Sequence, residues 1–155
     1  MLFRSGFKLP VSVLVVVHTA DLRVLLIERA DRPGFWQSVT GSSHEGETLR
    51  ETALREVQEE TGIDASLHCL ADWQVQNRFQ IFNHWRHRYA PGVTHNTEHV
   101  FGLALPDAVP VRLSPREHTD WQWLHWEAAL QKVFSWSNAD AIRMLPTRGA
   151  GATRF

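Results

Sequence analysis

Residues 41–63 read GSSHEGETLRETALREVQEETGI, and this stretch decides the fold. It is rich in strong helix formers between Thr48 and Thr61. Thr48 and Glu51 have the spacing of a capping box, and Gly62 follows directly after the last turn, so the stretch predicts one capped helix. An apolar stripe that would dock on a sheet is formed by Ala53, Leu54 and Val57.

The predicted helix carries a cluster of carboxylates. Glu56, Glu59 and Glu60 are spaced i, i+3 and i+4, so their side chains project from one face. Like charges so close together repel one another, and a divalent cation converts that repulsion into coordination, since Mg²⁺ prefers carboxylate and phosphate oxygens. Taken alone, the triplet favours a solvated acidic face, which is the commoner use of a charge run.

Length and composition limit the number of domains, the partners and the compartment of this protein. With 155 residues and 43% hydrophobic content, the chain is predicted to be a single domain, residues 1–155. The formal net charge of -1 gives no general field that would attract nucleic acid or a membrane, so neither partner is expected. Cys69 is the single cysteine, which excludes an intrachain disulfide and favours a reducing compartment.

The beginning of the chain resembles a secretory signal only superficially. Arg4 and Lys8 precede an apolar run at residues 11–17, but the run is short, contains Ser12 and lacks a small-residue cleavage site after it. We interpret it as a buried strand. No segment reaches the roughly 20 apolar residues that span a bilayer, so a soluble, cytoplasmic protein is expected.

The remaining elements predict a mixed β-sheet sandwiched between α-helices, which is an α/β fold. Residues 11–18 and 23–27 predict a hairpin, and residues 30–46 a loop with a short strand inside it. Further strands are predicted at 66–76, 79–85, 99–105 and 121–124, helices at 127–134 and 138–145, and a frayed tail at 148–155.

The residues around the acidic triplet resemble a known family. Gly41, then Glu47, then the run from Arg55 to Ile63 reproduce the spacing of the Nudix box. Resemblance to the Nudix hydrolases implies the Nudix fold and Mg²⁺-dependent hydrolysis of a phosphoanhydride bond, with Mn²⁺ as a substitute ion. It also implies specific roles: Glu56 and Glu60 as metal ligands, Glu59 as ligand or general base, and a backbone carbonyl brought to the metal by Gly41.

Under this resemblance, the rest of the box supports the carboxylates. Gly41 and Gly46 are expected to allow backbone geometry that residues with a Cβ resist. Arg55 lies one turn before Glu59 and is expected to pair with Glu47 or Glu59, which makes it part of the catalytic set. The alternative for Arg55 is an ordinary surface ion pair with no effect on activity.

Four further stretches resemble one branch of the family, the bacterial dihydroneopterin triphosphate pyrophosphatases. They are FWQSVTG at 35–41, HRYAPGVT at 87–94, NTE at 96–98 and SWSN at 135–138. This resemblance implies a small-molecule substrate, dihydroneopterin triphosphate, which is cut to dihydroneopterin monophosphate and pyrophosphate in folate biosynthesis.

The same resemblance implies roles for residues outside the box. Glu117 would be a further metal ligand, and Lys8, Arg29 and Thr40 would contact the triphosphate. Without the resemblance, these would be ordinary surface residues. The substrate pocket would be lined by Ile81, Phe82, Asn83, His84 and Ser135, which together offer an apolar slot and hydrogen bonds to a ring edge.

Trp36 and a group of three histidines could each suggest a binding site, but each also has a purely structural interpretation. Trp36 is more often a core residue than a platform for a ligand, and we favour the core. His84, His87 and His95 are not expected to hold a metal, because Arg86 and Arg88 lie among them and would repel a cation.

Other functions stay open at this point. A nucleoside triphosphate pyrophosphohydrolase would use the same metal chemistry with a purine in the slot. A catalytically inactive Nudix module that binds a ligand is disfavoured, because such modules lose box carboxylates and this chain keeps all three. A nucleic-acid binder would need a patch from Arg78, Arg86 and Arg88, and is also disfavoured.

Overall fold

A computed structural model describes residues 6–152 of the chain. Within them, the strands are Val11–Thr19 (β1), Arg23–Arg29 (β2), Trp36–Gln37 (β3), Val39–Ser42 (β4), Cys69–Gln80 (β5), His95–Leu105 (β6) and His118–His125 (β7). The helices are Leu49–Thr61 (α1), Trp126–Lys132 (α2) and Trp136–Ala152 (α3), with short 3₁₀ helices at Ala65–Leu67 and Asn83–Arg88.

The strands form one mixed sheet with β1 near its centre. One edge of β1 pairs in parallel with β6, and β5 continues the sheet antiparallel to β6. The other edge of β1 is shared: β2 pairs with it near the hairpin, and β4 pairs with it near its start. β2 in turn pairs with β3 and β7. The sheet therefore divides beside β1, between β2 and β4.

Helices cover both faces of this sheet. The face under α1 holds a core that includes Val13, Val15 and Phe101 together with Ala53 and Val57 of the helix. The opposite face holds a second core formed by residues of the sheet with residues of α2 and α3, namely Leu14, Val16, Val24, Leu26, Trp36, Trp73, Val100, Ala129, Ala141, Ile142 and Leu145. The predicted mixed sheet between helices is confirmed.

The capped helix predicted from residues 41–63 is confirmed in detail. Thr48 is the N-cap of α1, its hydroxyl accepts from the Glu51 N–H at 3.1 Å, and the Glu51 carboxylate accepts from the Thr48 N–H at 2.9 Å. Gly62 ends the helix at φ 75°, in the left-handed region that glycine adopts without cost. These local contacts fix where the acidic face begins and ends.

Several predicted boundaries are wrong. Instead of two strands at 66–76 and 79–85, there is one strand, β5, with a register shift between Asp72 and Val75, followed by the 3₁₀ helix Asn83–Arg88. β6 and β7 begin earlier than predicted, at His95 and His118. The first residues of β6 and β7 are mostly polar, which is typical of loops. Their backbones are nevertheless paired with neighbouring strands.

The last helix is longer than predicted. α3 contains Pro146 and continues to Ala152, although proline removes one helical hydrogen bond. Ile142 and Leu145 are fully buried against the sheet, and Arg148 donates to the Trp73 carbonyl at 2.8 Å, which holds this segment in place. The tail predicted at 148–155 overlaps the end of α3, and its residues 153–155 lie outside the described part of the chain.

Candidate active site

The acidic face of α1 is unevenly buried. Glu56 and Glu60 are 8% and 3% exposed, whereas half of the Glu59 side chain is open to solvent. α1 packs against β1 and β4, and this contact turns Glu56 and Glu60 inward. Burying two ionised carboxylates costs free energy of folding unless a positive charge or hydrogen bonds compensate them.

Gly41 of β4 makes room for one of these carboxylates. A Cβ at this position would lie 1.2 Å from Glu56 Oε2, so any other residue here would displace the Glu56 side chain. The backbone freedom predicted for both box glycines applies to Gly46, at φ 84°, and not to Gly41, which lies outside the left-handed region. The sequence prediction for Gly41 is corrected: its role is to let Glu56 approach closely.

Arg55 connects the loop before α1 to the acidic face. Its guanidinium donates to both oxygens of Glu47, at 2.7 and 2.9 Å, and to the Ser42 carbonyl at 2.9 Å. It also lies 3.3 Å from carboxylate oxygens of Glu56 and Glu59. The hydrogen bonds from Arg55 lower the pKa of Glu47 to about 2, so this pair stays ionised.

The two buried carboxylates titrate abnormally. Burial raises the pKa of Glu56 to about 8, with a hydrogen bond to Glu59 adding to the effect and the Arg55 charge opposing it. Burial also raises the pKa of Glu60 well above its ordinary value, and the charges of Glu56 and Glu117 contribute. In the metal-free protein, these shifts favour the protonated forms of Glu56 and Glu60. Binding of a cation at the two carboxylates would displace those protons.

These pKa shifts predict how stability depends on pH. Glu56 keeps its proton in the folded protein up to about pH 8, whereas an ordinary glutamate loses it near pH 4.5. The folded state thus binds more protons between these values, so the free energy of unfolding falls as the pH rises through this window. Thermal and urea unfolding in a chelator should show a loss on the order of 1–3 kcal/mol between pH 5 and pH 8. Glu56→Gln should flatten the curve, and parallel curves for both proteins would contradict the assignment.

Glu60 is the carboxylate of α1 whose burial is least compensated by hydrogen bonds. Its backbone contact is with Thr40, and its Oε1 is buried without a hydrogen-bond partner. Glu117 is exposed on the loop before β7, where its charge raises the pKa of both Glu56 and Glu60. Among the described residues, no three acidic, histidine or cysteine side chains already converge on one point. The residues fit an open cation site that is completed by water and phosphate oxygens, as Mg²⁺ prefers.

A cavity of about 1110 Å³ extends from the acidic face along the sheet. Its lining includes Gln37 at the end of β3 and Thr40 on β4, which lie on the two sides of the place where the sheet divides. Besides the carboxylates of α1, its wall contains basic and aromatic side chains. The basic side chains, here called the basic wall, include those of Lys8, Arg29, Arg88 and Arg116, and the aromatic ones include Phe79, Phe82, Phe134 and Trp136.

Most of the residues predicted to contact substrate lie in this wall, namely Lys8, Arg29, Thr40, Ile81, Phe82 and Ser135. The Lys8 N–H donates to the Arg88 carbonyl at 2.8 Å, which ties the two basic residues together. Desolvation and the charges of Arg88 and Arg29 lower the pKa of Lys8, while the Glu56 charge raises it. Lys8 is therefore the member of the basic wall whose ammonium senses the charge of Glu56 on the acidic face.

Asn83 and His84 do not line this cavity, contrary to the prediction. The strand ends at Gln80, and both residues lie in the 3₁₀ helix that follows, outside the lining of the cavity. Asn83 lines a separate shallow pocket, and the His84 ring stacks on Phe82 with 5.7 Å between ring centroids. The prediction followed from the resemblance to the family, and even a strand through residues 79–85 would place these two neighbouring side chains on opposite faces.

Sequence reasoning overlooked several residues of the wall. His118 is 4% exposed, and burial together with the Arg29 charge lowers its pKa to about 4, so its ring is neutral. Arg116, Glu98 and Asn96 also line the cavity. Asn96 and Glu98 could have been found from the alternating pattern of β6. Extended toward the start of the strand, this pattern places both residues on the same face as Val100.

Trp36 is a core residue, as favoured from the sequence. It is 8% exposed, packs in the core beneath α3, and has the Lys132 ammonium 4.5 Å from its ring centroid. It does not line the cavity.

Comparison with known proteins assigns this architecture to a family. The model of the NUDIX domain matches residues 8–145, which is most of the chain. The chain belongs to the Nudix family. Nudix hydrolases generally require divalent metal ions, in agreement with the buried, unpartnered carboxylate oxygen of Glu60.

Within the Nudix family, similar relatives share nearly the whole chain. A dihydroneopterin triphosphate diphosphatase of Escherichia coli K12 is 49% identical over 147 residues, covering 93% of this chain and 97% of the relative. The enzyme of that name from Haemophilus influenzae is 43% identical, covering 85% and 84%. The solved E. coli dihydroneopterin triphosphate pyrophosphohydrolase has a TM-score of 0.82 and 50% identity, covering 90% of this chain and 97% of that structure.

None of the helices among residues 6–152 combines the length and the apolar character needed to cross a bilayer.

Proposed function

We propose that this protein hydrolyses dihydroneopterin triphosphate to dihydroneopterin monophosphate and pyrophosphate, a step of folate biosynthesis, in the cytoplasm. The observation that carries the proposal is one cavity whose lining combines carboxylates, basic side chains and aromatic side chains. This combination suits a substrate that joins a polyphosphate to a flat ring. The relatives that carry this activity in their names, at 49% and 43% identity, support the choice of substrate.

Glu56, Glu60 and Glu117 are the residues that would hold the divalent ion, with the Gly41 backbone beside Glu56. We propose Mg²⁺, with Mn²⁺ as a substitute, because the donors are all hard oxygens. When bound, such an ion neutralises phosphate charge and lowers the pKa of a coordinated water. The protein contributes by desolvating Glu56 and Glu60, which leaves them in need of a cation.

The basic wall of the cavity would bind the triphosphate. Lys8 and Arg88 are joined through the backbone, and Arg29 is 2.7 Å from Asp31, an exposed partner that a phosphate can replace. Several guanidinium groups can make paired hydrogen bonds to phosphate oxygens and so hold the reacting phosphorus next to α1.

A carboxylate must accept the proton of the attacking water. Glu59 suits this role because half of its side chain is exposed and it lies beside Glu56 on the same face of α1. Arg55 contacts Glu59 at 3.3 Å and positions it relative to the buried pair. Glu56 is the alternative base, and it would have to give up its role as a ligand.

Replacing Glu117 with Gln is expected to lower kcat about a hundredfold, because the variant loses a negative charge that Glu56 and Glu60 sense. Pyrophosphate release at saturating Mg²⁺ and substrate measures this effect. Glu127→Gln, in which an exposed carboxylate of α2 is neutralised, is the matched control and should keep full activity. Glu98→Gln should lower kcat less than Glu117→Gln. A Glu117 variant that matches the control would return this residue to an ordinary surface role.

The substrate itself is tested by pyrophosphate release from dihydroneopterin triphosphate, dATP and GTP at matched concentration with Mg²⁺. We expect the highest kcat/KM for dihydroneopterin triphosphate. A strong preference for a nucleotide would instead identify a nucleoside triphosphate pyrophosphohydrolase with the same metal chemistry.

A further inference from the structure

Gln37 is a buried amide of the cavity to which the proposed chemistry gives no role. It is the last residue of β3, it is 6% exposed, and it lines the cavity where the sheet divides. Glutamine is mostly an exposed residue, and a buried side-chain amide needs hydrogen-bond partners inside the protein. The partners of Gln37 come from three other strands.

The amide of Gln37 contacts one side chain on each of these strands. Its Oε1 accepts from Arg29 Nη1 of β2 at 3.4 Å, and its Nε2 donates to Thr40 Oγ1 of β4 at 3.3 Å. The same Nε2 lies 3.4 Å from Nε2 of His118 on β7. All three contacts are long, but each is at least partly shielded from solvent, where water competes less. The amide thus bridges the gap between β2 and β4.

Arg29 fixes the direction of these hydrogen bonds. A guanidinium has no acceptor, so the oxygen of the Gln37 amide must face Arg29 and the nitrogen must face the other two partners. Nε2 of His118 is then an acceptor, which places the proton of the neutral ring on Nδ1. Turning the amide over would bring its N–H groups against those of Arg29. The four side chains therefore have one arrangement in which each donor meets an acceptor.

The Arg29 guanidinium is held on several sides. Its Nε and Nη2 donate to the two oxygens of Asp31 at 2.8 and 2.7 Å, and the Trp85 ring centroid lies 5.6 Å from its Cζ. Asp31 is exposed, so a phosphate can replace it, whereas Gln37 is buried and holds a different nitrogen, Nη1. When a phosphate takes the place of Asp31, the contact with Gln37 keeps the guanidinium in the cavity.

We infer that Gln37 is a positioning residue for polyphosphate binding, which holds the Arg29 guanidinium and the Thr40 hydroxyl at a fixed spacing so that both meet one phosphate chain. Among the described strands, β2 and β4 do not pair with each other, so the amide is the link between these two groups. Donors that are already fixed lose less freedom when a ligand binds, which increases affinity. The inference rests on the proposed function in taking a polyphosphate as the ligand.

A double-mutant cycle tests whether Gln37 acts through Arg29. The probe is inorganic tripolyphosphate, whose inhibition constant against turnover of the preferred triphosphate, at constant excess Mg²⁺, reports phosphate binding without a ring. Gln37→Met removes the amide at similar volume and should raise this constant roughly 3- to 10-fold, as for the loss of a hydrogen bond. In an Arg29→Ala background, the same substitution should change it by about twofold at most, because the group that Gln37 holds is gone.

Gln122→Met is the matched control for this substitution. Gln122 is a half-buried glutamine of β7 that is not among the described residues lining the cavity, so its replacement should leave the inhibition constant unchanged. Lys8→Ala serves as a second reference. Lys8 belongs to the basic wall, but the described hydrogen bonds of Gln37 do not include it, so the effects of Lys8→Ala and Gln37→Met should add.

Two variants of His118 keep the inference testable if Gln37→Met is unstable. His118→Leu leaves the Gln37 N–H without its acceptor on β7 and should raise the tripolyphosphate inhibition constant about threefold or more. His118→Gln offers an acceptor oxygen near the position of Nε2 and should restore most of that loss. Equal effects of the two variants would contradict the inferred hydrogen-bond network.

The outcomes separate this inference from the proposed function. If wild type prefers dihydroneopterin triphosphate but the effects of Gln37→Met and Arg29→Ala simply add, the role of Gln37 is wrong and the proposed function stands. If wild type prefers another triphosphate and Gln37→Met loses its effect in the Arg29→Ala background, the role of Gln37 stands and the proposed substrate is wrong. Inhibition by tripolyphosphate that Arg29→Ala does not weaken would overturn the inference.

Discussion

Glu60→Gln is expected to lower kcat on the order of a thousandfold or more while the protein stays folded. Glu60 is 3% exposed, and its Oε1 is buried without a hydrogen-bond partner, so its negative charge has no evident structural use. Removing that charge should weaken binding of the divalent ion and leave phosphate charge uncompensated in the transition state.

The same variant should be at least as stable as wild type in the absence of metal. An ionised carboxylate in this position is destabilising, and glutamine has nearly the same shape without the charge. Thermal unfolding in a chelator measures this, and Glu127→Gln on the exposed face of α2 serves as the control for turnover. Unchanged kcat in Glu60→Gln would overturn the assignment of the metal site.

Gly41→Ala should reduce kcat about a hundredfold, although it adds a single methyl group. The new Cβ would lie 1.2 Å from Glu56 Oε2 and 2.0 Å from its Cδ. The Glu56 side chain must therefore leave its place, which disturbs a residue assigned to the metal and also its contact with Arg55 at 3.3 Å.

Gly92→Ala is the matched control for this substitution. Gly92 has φ 88°, so alanine there is strained, but a Cβ meets nothing within 4 Å and the residue is not part of the main cavity. We expect the control to lose some stability and to keep its activity, while Gly41→Ala loses activity. Equal activity in both variants would show that the close approach of Glu56 to Gly41 has no catalytic importance.

The helix that carries the chemistry was predictable because its determinants are local. Thr48, Glu51 and Gly62 mark its ends through contacts within a few residues, and the spacing of Glu56 and Glu60 places both on one face. The spacing of the box also identified the family, which the match over residues 8–145 confirms. The hairpin of β1 and β2 was predictable for the same local reason.

The wall of the cavity was harder to predict because several elements contribute to it. The polar start of β6 resembles a loop, and it becomes recognisable as strand only through its pairing with β1 and β5. Asn96 and Glu98 were therefore not assigned to the pocket. Asn83 and His84 were assigned to the pocket by the family resemblance, and no local pattern in residues 79–85 predicts the 3₁₀ helix that follows Gln80.

The uneven burial of the acidic face could not be derived from spacing either. Helical periodicity places Glu56, Glu59 and Glu60 together, but the packing of α1 on β4 decides that Glu56 and Glu60 are buried and Glu59 is half exposed. That difference supports separate roles for the three residues. It also argues against a solvated acidic face, the alternative that the triplet alone favoured.

We propose that the buried carboxylates of α1 bind a divalent ion next to a polyphosphate. Calorimetric titration of Mg²⁺ into the wild-type protein, saturated with a non-hydrolysable imido triphosphate mimic, tests it most directly. We predict saturable binding that is at least about tenfold weaker in Glu60→Gln. Absence of binding heat in wild type, or the same affinity in both proteins, would contradict it.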